Sequence, residues 1–64
     1  MKLYINGKEA VKGQEVVTSS GEKAILVGWR EPHKPSSSGH VYIKEIETGY
    51  EREYYAGVIN GKFE

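Results

Sequence analysis

Apolar and polar positions alternate at a period of two through most of this chain, and glycine-bearing turns cut the alternation into short pieces. Lys2-Leu3-Tyr4-Ile5 alternates, meets Asn6-Gly7, and continues as Lys8-Glu9-Ala10-Val11. Asn-Gly accepts positive φ at both central positions of a type I′ turn, whose twist suits a two-residue hairpin. Residues 2–5 and 8–11 are therefore expected to pair. After Lys12-Gly13, the stretch Gln14-Glu15-Val16-Val17-Thr18 is rich in β-branched residues and reads as a strand. Ser19-Ser20-Gly21 is a turn cluster.

The longest apolar run follows, Lys23-Ala24-Ile25-Leu26-Val27-Gly28-Trp29. A helix there would spread Ile25, Val27, Gly28 and Trp29 around most of its circumference. Short length, flanking glycines and β-branched enrichment favour a strand. Simple alternation puts Ala24 and Leu26 on one face and Ile25, Val27 and Trp29 on the other. With both faces apolar, this strand is expected to be central and covered on both sides, or bent so that each end serves a different layer.

Glu31-Pro32-His33-Lys34-Pro35-Ser36-Ser37-Ser38-Gly39 holds two prolines, which lack an amide donor and restrict the residues before them, so it reads as the longest loop. His40 to Ile46 alternates again, with Val41 and Ile43 on one face and His40, Tyr42, Lys44 and Ile46 on the other. Glu47-Thr48-Gly49 turns the chain into a strand over Tyr50 to Tyr55. Ala56-Gly57-Val58-Ile59 suits one 3₁₀ turn, and Lys62-Phe63-Glu64 can close as a last short strand. Ile5-Asn6-Gly7-Lys8 recurs as Ile59-Asn60-Gly61-Lys62, which recurring turn chemistry explains more simply than duplication. The pattern implies an all-β domain of five or six short antiparallel strands with one 3₁₀ turn. A closed barrel is the expected form, because closure removes unpaired edges.

Gly13-x-x-Val16, Gly21-x-x-Ala24-x-Leu26-x-Gly28, Gly39-His40-Val41-Tyr42-Ile43 and Glu53-Tyr54-Tyr55-Ala56-Gly57-Val58-Ile59-Asn60 together resemble the strand layout of SH3-like small barrels of the KOW and Tudor kind. In those barrels a turn glycine leads into a strand, and a tight 3₁₀ turn precedes the last one. The layout is also similar to short phage and prophage proteins. The resemblance covers residues 13–64 and leaves the 2–11 hairpin as an added edge of one small domain, 1–64. It implies a binding module for protein, peptide or nucleic acid, or a brace within a larger assembly, and carries no catalytic residues with it.

Composition narrows these classes. The chain has 64 residues, enough for one domain, no cysteine and no aspartate. Disulfide and thiolate–metal staples are thus excluded, and two histidines are few for a structural zinc. No metal or cofactor is expected. Nine basic and nine acidic residues balance, so no global field draws the chain to nucleic acid or an anionic membrane. No apolar run approaches the roughly 20 residues of a membrane span, and a soluble, cytoplasmic protein is expected.

Candidate chemistry gathers around the long loop. Trp29 could stack a base or a peptide proline, or simply cap the barrel's open end. Arg30, His33, Lys34 and His40 form the most cationic local patch, able to cradle a phosphate weakly or to serve only as a solvated loop. Tyr42, Tyr50, Tyr54 and Tyr55 supply a second aromatic set; Tyr54 and Tyr55 point to opposite faces, so at most one belongs to the core. Glu45, Glu47, Glu51 and Glu53 read as a solvated acidic hairpin. No nucleophile elbow or rigid base–nucleophile arrangement is present, and no enzymatic activity is expected. The ligand-binding candidates are Trp29, Arg30, His33, Lys34, His40 and Tyr42. A protein partner or self-association is the leading expectation, with nucleic-acid or phosphate binding and a purely structural role as alternatives.

Overall fold

The computed structural model describes residues 2–32 and 39–64 of the chain. Among the described residues the chain has seven strands, not the five or six expected, because the 2–11 hairpin and the last strand form a sheet of their own: β1 (Leu3–Ile5), β2 (Lys8–Glu9), β3 (Glu15–Val17), β4 (Lys23–Arg30), β5 (His40–Glu45), β6 (Glu51–Tyr55) and β7 (Gly61–Phe63), with a 3₁₀ turn over Ala56–Ile59. All pairings are antiparallel. Among the described residues no helix is long and apolar enough to cross a membrane.

Each turn forms for a local reason. Asn6 and Gly7 take φ of 52° and 81°, the positive values that join β1 to β2. Between β3 and β4 the buried Thr18 acts as the hub of the turn. Its carbonyl accepts from the Gly21 amide at 2.9 Å, and its hydroxyl accepts from the Glu22 amide at 3.2 Å. Thr48 does similar work after β5, donating its hydroxyl to Glu45 at 2.9 Å while its oxygen accepts from the Tyr50 amide at 3.3 Å.

The recurring Ile-Asn-Gly-Lys tetrad is used twice in different ways. At residues 5–8 it makes the hairpin turn. At residues 59–62 Asn60, at φ 56°, ends the 3₁₀ turn in the left-handed region, and Gly61 already belongs to β7. The two copies meet: Ile5 pairs with Gly61, and the Asn6 amide donates to the Asn60 carbonyl at 3.2 Å. The 2–11 hairpin is thus built into the fold. β1 lies between β2 and β7, and reciprocal bonds between Lys2 and Glu64 clasp the two ends of the chain.

The strands form two sheets, β2-β1-β7 and β3-β4-β5-β6, and not the closed barrel expected from the alternation. After β6 the chain passes through the 3₁₀ turn, and β7 pairs with β1 rather than continuing the larger sheet. β1, β2 and β7 are also only three, two and three residues long, too short to pair within both sheets. Among the described residues free edges remain, and β6 is the longest of the edge strands.

Between the sheets lies the core, made of Leu3, Ile5, Ala10, Val16, Ala24, Leu26, Val41, Ile43, Ala56 and Ile59. Trp29, Tyr54, Val58 and Phe63 pack against it from the margins. Gly39 closes one corner beneath β7. Its φ is +67°, and a Cβ there would stand 2.6 Å from the Phe63 ring and 3.0 Å from the Arg30 carbonyl. Only glycine fits.

One irregularity decides the faces of β4. It pairs with β5 through Leu26↔Ile43 and then resumes at Gly28↔Tyr42, which makes Val27 the extra residue of a β-bulge. An inserted residue reverses the side-chain alternation beyond it. Trp29 therefore does not share the face of Ile25 and Val27. It becomes the partner of buried Val41 and packs against the core. Nor is the outer face of β4 covered: Val27 is 41% exposed and Ile25 only half-buried.

Candidate functional site

Residues directly opposite in an antiparallel pair share a face. The ladders of the larger sheet therefore set three rows across its outer surface. Arg30, His40 and Tyr55 form one, Gly28, Tyr42 and Glu53 the next, and Ile25, Lys44 and Glu51 the third. In the middle row Gly28 has no side chain, and nothing lies within 4 Å of where its Cβ would stand. A hollow results, lined by Lys12, Val27, Trp29, Tyr42, Glu51, Arg52 and Glu53, with Gly28 as its floor.

Trp29 serves two masters here. Part of its ring packs on the core, while the Lys12 ammonium lies 5.8 Å from the ring centroid in cation–π range. A second depression adjoins the first across Glu53, formed with His40, Tyr54, Tyr55 and Val58. The His40 ring stacks on Tyr55 with centroids 4.9 Å apart and planes at 29°. The same imidazole lies 3.5 Å from the Glu53 carboxylate.

Of the residues singled out in the sequence, Trp29 and Tyr42 line the central hollow, and Arg30 and His40 stand opposite one another in the adjoining row. His33 and Lys34 lie outside the described residues. The four tyrosines divide: Tyr54 packs against the core, Tyr55 and Tyr50 are 62% and 66% exposed, and Tyr42 is half-buried.

Sequence reasoning missed Lys12, Val27, Gly28 and Tyr55 as parts of this surface, and it assigned Glu51 and Glu53 to a separate acidic hairpin. Period-two spacing already joined Glu51, Glu53 and Tyr55 to one another. Only the β5–β6 register places them beside Tyr42 and His40. Lys12 could not have been found, because it reaches Trp29 from a loop distant in sequence.

The resulting field is mixed. Glu53 faces His40, Glu51 stands opposite Lys44, and on the other side of the sheet Arg52 contacts Glu45 at 2.7 Å. Among the described residues no group of three or more histidines or carboxylates gathers to hold a metal ion. No family model, curated protein or solved structure matches this chain.

Proposed function

We propose that the protein is a non-enzymatic protein-binding module that meets its partner on the outer face of β4, β5 and β6. The observation that carries this reading is the open hollow over Gly28, walled by the half-buried rings of Trp29 and Tyr42 and rimmed by charges of both signs. An aromatic centre with a polar rim is the composition of protein–protein contact surfaces. Phosphate binding fits less well. A nucleic-acid backbone needs cations free to replace its counterions, whereas His40 stands beside Glu53 and the carboxylates of Glu51 and Glu53 share the face.

The module is an SH3-like layout whose barrel is left open. A 3₁₀ turn before the last strand and the return of β7 to pair with β1 support that assignment. The similarity of layout to phage and prophage proteins makes such an origin part of the proposal, and gene neighbourhood tests it.

The binding reading is tested by capturing partners on immobilised protein and repeating the capture with Tyr42→Ala. Tyr42 lies outside the core, so the variant keeps its circular dichroism spectrum and loses at least tenfold in affinity for any captured partner. Undiminished capture would remove the outer face from the reading. Titrating oligonucleotides at low salt while following Trp29 fluorescence should give no saturable change. A saturable, salt-sensitive change would assign the face to nucleic acid instead.

A further inference from the structure

The edge of the same sheet specifies what kind of segment it accepts. Among the described residues β6 ends the four-stranded sheet, pairing with β5 on one side only. The Glu45 amide donates to the Tyr50 carbonyl at 2.9 Å, which marks residues 45 and 50 as a hydrogen-bonded pair. Such pairs alternate along an antiparallel ladder. Arg52 and Tyr54 therefore turn their backbone groups toward β5. Glu51 and Glu53 turn their N–H and C=O groups to the open edge, and Tyr55 its N–H, its C=O being engaged as the N-cap of the 3₁₀ turn. Their side chains all lie on the outer face, beside the hollow.

We infer that β6 takes up an extended, basic peptide segment of a partner protein as an added antiparallel strand. The inference rests on the binding-module reading and names its partner class. Residues of the incoming strand opposite Glu51, Glu53 and Tyr55 share their face. Lysine or arginine complements Glu51 and Glu53, and an aromatic or β-branched residue complements Tyr55. The strands run antiparallel, so the aromatic residue comes first and the basic residues follow two and four positions later. The intervening positions face Arg52 and Tyr54, and they suit uncharged β-branched residues because Arg52 already carries positive charge there.

The same pattern rejects a second copy of this chain. When the whole of β6 pairs with itself about a two-fold axis, Glu53 falls opposite Glu53 of the other copy, a like-charge contact that destabilises the pairing. Charge on an edge strand commonly serves only to block aggregation. Here it also leaves an opening for a strand of the opposite sign, where main-chain bonds supply affinity and alternate side chains supply selectivity.

The test uses the full chain labelled with ¹⁵N and a capped peptide of the sequence Phe-Thr-Lys-Val-Lys, extended at both ends by Thr. Binding is expected to slow hydrogen exchange at the amides of Glu51, Glu53 and Tyr55, with weaker affinity as salt rises. Glutamates in place of the lysines should weaken binding at least tenfold. So should N-methylation at the lysine positions, whose amides face β6. The double variant Glu51→Lys, Glu53→Lys should reverse the preference toward the glutamate peptide. Equal binding of the two charge forms, indifference to N-methylation, or no protection at millimolar peptide would each overturn the inference. Shifts confined to Trp29 and Tyr42 would overturn the strand-addition inference and leave the outer-face reading standing. That reading fails separately, through undiminished capture by Tyr42→Ala.

Discussion

Leu26 and Val27 are neighbours on β4 with opposite surroundings, so truncating each to alanine measures the β4 face assignment directly. Leu26 is 0% exposed within the core cluster, while Val27 is 41% exposed at the bulge. Removing a buried leucine side chain loses its transfer energy and leaves a cavity, together about 2–5 kcal/mol. Shortening an exposed strand residue costs at most about 1 kcal/mol. At roughly 0.05–0.15 kcal/mol per residue, a domain of this size has about 3–10 kcal/mol in all, so Leu26→Ala removes a large share of it. Each kcal/mol shifts Tm by about 4–8 °C in a domain this small. Urea unfolding followed by Trp29 fluorescence gives both free energies, with an unchanged slope showing that the unfolding transition stays comparable. Leu26→Ala should exceed Val27→Ala by more than about 1 kcal/mol. Equal losses, or a larger one for Val27→Ala, would refute the buried and exposed faces assigned to this part of β4.

Gly39→Ala must hold a left-handed residue, at about 1–2 kcal/mol, and must also displace the Phe63 ring 2.6 Å from the new Cβ. Its melt should fall by at least about 4 °C, and an unchanged Tm would mean that this corner is packed differently. Asn60→Val forces a β-branched residue to a φ of 56°, where Asn60→Gly does not. The valine variant should melt lower than the glycine one, and the reverse order would contradict the left-handed end of the 3₁₀ turn. Arg52→Ala breaks the 2.7 Å contact with Glu45, yet Arg52 is half exposed, so the loss should stay below about 1 kcal/mol; chemical denaturation showing more would reveal a network larger than this pair.

Most elements were legible from local rules. Alternation and turn chemistry located the strands, the 3₁₀ turn and the hairpin closed by Asn6-Gly7, because period-two burial and positive φ are properties of a few consecutive residues. The buried face of β5, Val41 and Ile43, followed from the same alternation. The candidate surface was legible only in fragments. Trp29, Tyr42 and His40 could be named as notable side chains, but nothing in the sequence said that Tyr42 and His40 share a sheet face with Glu53 and Tyr55, or that Trp29 turns to the core beside them.

The chain's own order thus settled where its backbone extends and where it turns. The tertiary structure decided which of those extended pieces lie side by side, that β1 and β7 meet, and that the sheets stay open. It also decided that one extra residue at Val27 carries Trp29 across to the core. The physical reason is that register and closure depend on the relative placement of segments far apart in sequence. A single-residue slip in pairing inverts every face beyond it while leaving the local pattern unchanged.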